Sequence, residues 1–241
     1  MMDYQEHYRQ DALVFDYFRR DKLTPGEVRR TQFTLSQCGI KPGMRVLDVG
    51  SGRGWFSLAA AGCGAEVTAL DLSEENLARI KAEDPTINTV YGDACSLPEL
   101  GKFDLIVALE VLEHLVEPGK ALRSIRERLK PGGTLLVTVP YKEIIRYSLC
   151  VHCNRKTPVN AHLHSFDRDS LSALLVQNGF RVQAEKRFYH RALELLKINS
   201  LTRKFPLAAW VFLDRLSAIS GDKYSYLAVQ AGLGKGGLPT A

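Results

Sequence analysis

The chain has 241 residues, of which 45% are hydrophobic and 24% are charged, proportions typical of a soluble globular protein. This composition excludes an intrinsically disordered chain, a collagen and a small disulfide-stapled domain. Lys and Arg number 32 against 27 Asp and Glu, so the net charge is +5. Such an excess hints at anionic partners and by itself identifies none.

The ends and the cysteines of the chain bear on its location. The first residues, MMDYQE, lack the basic and apolar regions of a secretory signal peptide. The longest apolar run, Phe205 to Leu213, is too short to cross a membrane as a helix. Five cysteines without an export signal indicate a reducing compartment. We therefore expect a cytoplasmic protein without a transmembrane segment.

The predicted elements change in character at Lys41. Before it lies an N-terminal helical segment, residues 1–40, in which Thr24-Pro25-Gly26-Glu27 has the pattern of a helix start. After it, the predicted strands are Val46–Val49, Glu66–Leu70, Ile87–Tyr91, Phe103–Leu109, Thr134–Val139, Arg181–Tyr189 and Tyr224–Gln230. Helices are predicted up to Ala61, from Ser73 to Ala82, from Pro118 to Leu129 with Pro131-Gly132-Gly133 closing it, and from Asp167 to Gln177. This alternation favours an α/β protein with a doubly wound, mostly parallel sheet and helices on both faces.

A glycine-rich turn, VLDVGSGRG from Val46 to Gly54, follows the first strand. Glycine lets the backbone turn tightly and approach a ligand. Asp71 ends the second strand, where a carboxylate can reach the ribose hydroxyls of a bound nucleoside. A dinucleotide site requires glycine where Trp55 stands, so a dehydrogenase is the weaker alternative. The Asp48 carboxylate is a poor neighbour for a pyrophosphate and suits a ligand with an ammonium or sulfonium charge.

This turn resembles motif I of the class I S-adenosylmethionine-dependent methyltransferases. The resemblance covers about residues 41–140 and the last strands, and it continues through Asp71, Gly92-Asp93-Ala94, Phe103-Asp104, Glu110–His114 and Leu129–Gly133. It implies a seven-stranded Rossmann-like methyltransferase fold. It also implies methyl transfer from S-adenosyl-L-methionine to an oxygen, nitrogen or carbon nucleophile.

The resemblance further implies which residues bind the cofactor. They are Asp48, Gly50, Ser51 and Gly52 for the methionine part, Asp71 for the ribose, Leu72, Asp93 and Ala94 for the adenine, and Glu110 near the methionyl group. His114 is the first candidate for a catalytic base, because it follows the fourth strand and faces the expected cleft. The alternative is a histidine that packs over the next helix. Glu113 is the second catalytic candidate. It could instead bind a cation, as in some quinone-pathway O-methyltransferases that this Glu-His segment resembles.

Residues 150–164 contain a candidate zinc site. Cys150 and Cys153 have the spacing of a metal knuckle, and His162 or His164 could complete a tetrahedral site with another ligand. A second CxxC pair is missing from the sequence. Two alternatives therefore stay open, a lid with free thiols and a catalytic role for the two histidines.

The resemblance and the predicted elements divide the chain into a cofactor-binding core, residues 41–140, and an acceptor-side half of the same domain, residues 141–231. The second half contains two lid insertions, 141–166 and 191–222, and residues 232–241 are predicted to be a disordered tail. The second insertion is strongly apolar. It is expected to be buried, to form a homodimer interface or to lie against a membrane surface.

The positive charge lies on the half that carries the lids. Residues 141–241 have 15 Lys and Arg against 7 Asp and Glu, whereas residues 1–140 have 17 against 20. A basic lid favours a small anionic metabolite as the acceptor, although an ordinary solvated surface would have the same charge. Leu109-Glu110-Val111 stands where methylases of exocyclic base amines carry an Asn/Asp-Pro-Pro-Tyr motif, so a nucleic acid is not favoured. RNA or protein methylation and a catalytically silent cofactor-binding domain stay as alternatives.

Overall fold

The structure is a computed structural model that describes residues 6–7, 9–10, 14, 23–151, 153–202 and 204–234. Most of the predicted helical pattern before Thr24, and the predicted tail from residue 235 onward, lie outside these residues. Among the helices of the described residues, none combines the length and the apolar character that crossing a bilayer requires.

The predicted seven-stranded sheet is confirmed. Its strands are β1 Arg45–Val49, β2 Glu66–Asp71, β3 Asn88–Tyr91, β4 Phe103–Leu109, β5 Leu129–Pro140, β8 Phe180–His190 and β9 Tyr224–Leu233. They are arranged in the order β3-β2-β1-β4-β5-β9-β8. The five strands from β3 to β5 are parallel, and β9 runs antiparallel to both β5 and β8. A separate hairpin consists of β6 Tyr147–Leu149 and β7 Lys156–Pro158.

The helices of the described residues are α1 Pro25–Cys38, α2 Trp55–Gly62, α3 Glu74–Glu83, α4 Pro118–Arg128, α5 Arg168–Gln177, α6 Arg191–Leu195, α7 Ile198–Leu201 and α8 Leu207–Leu216. Two short 3-10 helices span Leu112–His114 and Ser217–Ser220. The predicted helix start at Thr24 is confirmed, because its hydroxyl accepts from the Glu27 N–H at 3.2 Å and the Glu27 carboxylate accepts from the Thr24 N–H at 2.7 Å.

Helices cover both faces of the sheet over two apolar clusters. On one face Leu122 of α4 and Leu171 of α5 are fully buried with side chains of the strands. The other face buries Phe33 of α1 and Trp210 of α8 against Phe188 of β8, with the two Phe rings stacked at 4.3 Å. The second insertion therefore contributes core side chains to the face that α1 covers.

Three predicted boundaries are wrong because strand pairing decides them. β5 begins at Leu129, five residues before the predicted start, since Leu129 pairs with Phe103 of β4 ahead of a register shift. Pro131-Gly132-Gly133 is thus part of an irregular strand and does not close a helix. β9 extends through Gly232 to Leu233, which pairs with Phe180, so these two residues do not belong to a tail.

Candidate active site

The residues expected to bind the cofactor lie at the carboxyl ends of neighbouring parallel strands. Gly50 follows β1, Asp71 ends β2, Asp93 follows β3 and Glu110 follows β4. Since these strands are adjacent in the order β3-β2-β1-β4, the four positions line up along one edge of the sheet. Ligands of doubly wound sheets bind at this edge.

The glycine turn is held against the neighbouring strand by backbone hydrogen bonds. The N–H groups of Gly50 and Ser51 both donate to the carbonyl of Leu70, at 2.8 and 3.0 Å. Gly50 has a φ of +71°, and a Cβ there would lie 2.7 Å from Cγ2 of Val111. Glycine is therefore required by both the backbone conformation and the close approach of the loop after β4.

The Asp71 carboxylate connects this turn to the start of α3. Its Oδ2 accepts from the Gly52 N–H at 2.7 Å, and its Oδ1 accepts from the Ser73 N–H at 2.9 Å. Burial raises its pKa. Each carboxylate oxygen can accept a further hydrogen bond, so the group keeps the capacity to hold two ribose hydroxyls.

Asp48 is buried at the carboxyl end of β1. The Ser57 hydroxyl donates to its Oδ2 at 2.7 Å. Burial raises the pKa of Asp48 to about 7, so the free protein carries a partly neutral acid here at physiological pH. A cationic group placed beside it would favour the ionised carboxylate.

A cavity of about 320 Å³ lies at the tips of β1 and β4. Five of the residues expected to bind the cofactor line it, namely Asp48, Gly50, Ser51, Gly52 and Glu110. The other four, Asp71, Leu72, Asp93 and Ala94, lie along the neighbouring strand tips and not in its lining.

The wall of this cavity fits a polar ligand. The Ser51 hydroxyl is buried, lines the cavity and has no hydrogen-bond partner among the described residues. A Cβ built on Gly52 would meet no atom within 4 Å, so the backbone is open toward a ligand. A buried acid, a hydroxyl lacking a partner and an exposed backbone segment suit the amino-acid part of S-adenosylmethionine.

Helix α1 supplies cavity residues that the sequence analysis missed. Arg30, Thr31 and Thr34 line the cavity from this helix. Arg30 donates from Nη1 to the Tyr226 hydroxyl at 3.1 Å, and its Cζ lies 5.1 Å from the centroid of that ring. No motif or spacing connects residue 30 to the glycine turn, because only the packing of α1 over the strand tips brings them together.

Glu110 borders the cavity in a strained conformation. Its φ of +56° is unusual for a residue with a side chain. The Thr138 hydroxyl donates to its Oε1 at 2.8 Å, and its own N–H donates to the Thr138 carbonyl at 2.9 Å. Burial raises the pKa of this carboxyl. Strain of this kind is concentrated at functional sites in proteins.

The two predicted catalytic residues lie in the 3-10 helix after β4. Glu113 is fully buried, and neither of its carboxylate oxygens has a hydrogen-bond partner among the described residues. Burial, followed by the neighbouring Glu110, raises its pKa well above the usual range. Burial, followed by His162, lowers the pKa of His114 to about 4. Burial thus favours the uncharged form of both side chains.

The first insertion closes over this pair. The N–H groups of Leu163 and His164 donate to the Glu113 carbonyl at 2.7 and 3.2 Å. The rings of His114 and His162 meet edge to face with centroids 4.6 Å apart. Nδ1 of His162 is hydrogen-bonded to the carboxylate of Glu143, a residue that the sequence analysis did not single out.

The expected zinc ligands are not assembled in the described part of the chain. There, one group of potential ligands has its atoms within 4.8 Å of one another, and it consists of Glu113, His114 and His162. Cys150 and Cys153 lie in the turn of the β6–β7 hairpin and are not part of this group. His164 is hydrogen-bonded through Nε2 to the Leu115 carbonyl at 2.8 Å.

Comparison with known proteins decides the family. A family model described as "Methyltransferase domain" matches residues 15–185, more than half of the chain. The chain belongs to this methyltransferase family. The predicted resemblance is thereby confirmed.

Individual relatives agree with the family and the fold. A ubiquinone biosynthesis O-methyltransferase of Xanthomonas campestris pv. campestris is 36% identical over 116 residues, which are 46% of this chain and 48% of that protein. The chain thus spans about half the length of the curated relatives it matches.

Among solved structures, an S-adenosylmethionine-dependent methyltransferase from Mesorhizobium loti has a TM-score of 0.62 at 20% identity, covering 86% of this chain and 99% of that one. The [4+2]-cyclase SpnF has a TM-score of 0.61 at 22% identity, covering 86% and 82%. These likenesses confirm the Rossmann-like methyltransferase fold.

Proposed function

We propose that this methyltransferase-family chain transfers the methyl group of S-adenosylmethionine to a hydroxyl group of a small acceptor. The observation that carries the proposal is the cluster of Glu113, His114, His162 and Glu143, which adjoins the cofactor cavity through Glu110. A hydroxyl acceptor loses a proton on methylation, and this cluster offers groups that can accept one. The relative named as an O-methyltransferase supports the same choice.

The cofactor would lie along the strand tips. S-adenosylmethionine, when bound, supplies a methyl group that is already activated by the sulfonium charge. Asp48 would face its cationic groups, Arg30 would pair with its carboxylate, and Asp71 would accept from its ribose hydroxyls. Leu72, Asp93 and Ala94 follow β2 and β3 in the position expected for the adenine. The role of the chain is to position the two reactants in line.

We assign to His162 the role of the base that accepts the proton from the acceptor hydroxyl. Its Nδ1 is held by the Glu143 carboxylate, which orients the ring. His114 has a pKa of about 4 because of burial, so it is a weak base at neutral pH. A neutral imidazole still accepts a hydrogen bond, and His114 would orient the acceptor hydroxyl toward the methyl group. Glu113, whose pKa burial raises, would lie next to them.

The first insertion also supports an anionic acceptor. Lys142, Arg146, Arg155 and Lys156 are exposed on this lid. The interior of the site holds carboxyl groups instead, among them Glu110 and Glu113. A negative group of the acceptor would thus stay at the entrance while its hydroxyl enters the site.

A divalent cation is a second candidate for the cluster. The oxygens of buried Glu113 accept no hydrogen bond from the described residues. Together with the ring of His114, and with His162 within reach, they are a suitable donor set. A zinc ion would accordingly use these residues and not Cys150 and Cys153. Metal analysis of purified protein and of Glu113→Gln tests this. Stoichiometric metal that is lost in Glu113→Gln supports a site at Glu113, His114 and His162. Metal that is lost only in Cys150→Ser supports a site at Cys150 and Cys153.

The cofactor assignment is tested by calorimetry with S-adenosylhomocysteine and, in parallel, with NADH. Binding of the first compound alone is expected. Absence of its binding would refute the proposal. If S-adenosylhomocysteine binds and labelled S-adenosylmethionine gives no methylated product with any acceptor, the chain is a silent cofactor-binding domain.

The acceptor chemistry is tested with matched hydroxyl and amine compounds, each with and without a carboxylate. We expect methylation of the hydroxyl compounds, with preference for the anionic ones. His162→Asn and Glu143→Gln should lower kcat by about a hundredfold or more while cofactor affinity is kept. His164→Asn is the matched control in the same lid. An equal loss of kcat in all three variants would show that the lid acts only through its folding.

A further inference from the structure

The second insertion has an exposed apolar surface that the proposed reaction does not use. We call its described residues, 191–202 and 204–220, the cap. Seven of its large apolar side chains are about half exposed or more, and they are Leu195, Leu196, Leu201, Phe205, Phe212, Leu216 and Ile219. An exposed hydrophobic patch of this kind on a folded protein is typical of a contact surface.

Helix α8 shows that the exposure follows a helical stripe. Trp210 and Asp214, one turn apart, face the core and are buried. Ala208, Phe212 and Leu216 follow one another at the same spacing on the outer side and are exposed. A surface helix normally presents polar residues to water, whereas α8 presents this apolar stripe on its outer side.

The elements of the cap form one continuous surface. α6 contacts α7 and the 3-10 helix Ser217–Ser220, which in turn contacts α8. A groove of about 440 Å³, lined by Leu201, Lys204 and Phe205, extends this surface to Pro25 at the start of α1. The Arg29 guanidinium holds the segment between α7 and α8 in place by donating to the carbonyl of Phe205 at 2.8 Å. The apolar surface is therefore part of the folded domain.

The charged residues of the cap indicate which kind of surface it binds. Its exposed basic residues are Arg191, Lys197, Lys204 and Arg215, and its exposed acidic residue is Glu194. In a symmetric contact between two copies these cations would face their own counterparts, which is unfavourable. A surface of anionic lipid phosphates is complementary to them, while the apolar side chains can enter the boundary with the acyl chains.

We propose that the cap docks on the surface of an anionic lipid bilayer. The outer stripe of α8 enters the acyl boundary, and the long stems of Lys197 and Lys204 carry their ammonium groups to the lipid phosphates. Because α1 contacts α7 and α8 and also lines the cofactor cavity, docking holds that cavity close to the bilayer. The proposal does not depend on methyl transfer.

The test is co-sedimentation of the full chain with vesicles of phosphatidylcholine alone or mixed equally with phosphatidylglycerol. We expect binding to the mixed vesicles and weaker binding in high salt. Phe212→Glu should weaken the binding about tenfold or more, since a whole aromatic side chain leaves the lipid. Lys204→Gln should weaken it about fivefold. The matched control is Val176→Glu, at an exposed apolar position of α5 on the opposite face of the sheet.

Circular dichroism and binding of S-adenosylhomocysteine check that each variant is folded. Equal loss of vesicle binding in Phe212→Glu and Val176→Glu would overturn the assignment to the cap. Equal binding to both kinds of vesicle would refute the proposed preference for anionic lipid. If the chain binds neither and sedimentation shows a dimer that Phe212→Glu dissociates, the cap is an interface between two copies. A monomer that binds neither also refutes the proposal.

Discussion

Replacing Asp48 with asparagine removes a buried acid from the cavity and keeps its shape. Asp48 is 2% exposed, and burial raises its pKa from 3.8 to about 7. Between these two values the folded state binds a proton more tightly than the unfolded chain does. The stability of the protein is therefore expected to fall as the pH rises from about 4 to about 7.

The size of the effect follows from the two pKa values. At 1.36 kcal/mol per pH unit, the difference between 3.8 and about 7 corresponds to about 4 kcal/mol of lost stability at pH 8. Asparagine is neutral, and its carbonyl can still accept the hydrogen bond from the Ser57 hydroxyl. Asp48→Asn should thus raise the free energy of unfolding by up to about 4 kcal/mol at pH 8 and change it little near pH 4.

The same substitution should weaken cofactor binding. If only the ionised carboxylate pairs with the cationic cofactor, an acid of pKa about 7 makes the apparent Kd roughly tenfold higher at pH 6 than at pH 8. In Asp48→Asn this dependence on pH should disappear and the Kd should be high at both values. Calorimetry with S-adenosylmethionine and urea unfolding, each at the two pH values, provide the measurements.

Asp104→Asn is the control with the opposite sign. Asp104 lies at the start of β4, and its hydrogen bonds to Lys130, at 2.9 Å, lower its pKa. Its replacement should reduce stability at pH 8 and leave cofactor affinity unchanged. The reasoning is refuted if Asp48→Asn is less stable than the natural chain at pH 8, or if its cofactor affinity keeps the same dependence on pH.

Three further substitutions test backbone conformation and buried hydrogen bonding. Gly50→Ala combines a φ of +71° with a clash against Val111, so we expect a loss of about 1–3 kcal/mol in urea unfolding together with lost cofactor binding. Gly39→Ala, with a φ of +56° and open space around its Cβ, should cost less and leave binding intact. The indole N–H of Trp210 donates a hydrogen bond to the buried amide oxygen of Asn199 at 2.8 Å. Trp210→Phe removes this donor, which should lower the free energy of unfolding by about 1–3 kcal/mol. An unfolding midpoint equal to that of the natural chain would contradict this last expectation.

The sequence by itself determined the sheet and the part of the site that depends on local chain geometry. The strand, glycine turn and helix from β1 to α2 are one continuous segment, so the positions of Asp48 and Gly50 follow from their spacing. Asp71 and Glu110 follow from the same rule, because parallel strands end at the same edge. Backbone pairing with another strand is a long-range property, and the start of β5 at Leu129 was therefore not predictable from its own residues.

Only the tertiary structure decided which side chains complete the site. His162 contacts His114, and Glu143 contacts His162, from a lid whose sequence has no periodic pattern. Arg30 lines the cavity from a helix that precedes the first strand. Their meeting depends on contacts between segments far apart in the chain. The pKa values have the same origin, since the desolvation that raises the pKa of Asp48 and lowers that of His114 is a property of the packed fold and not of the residue type.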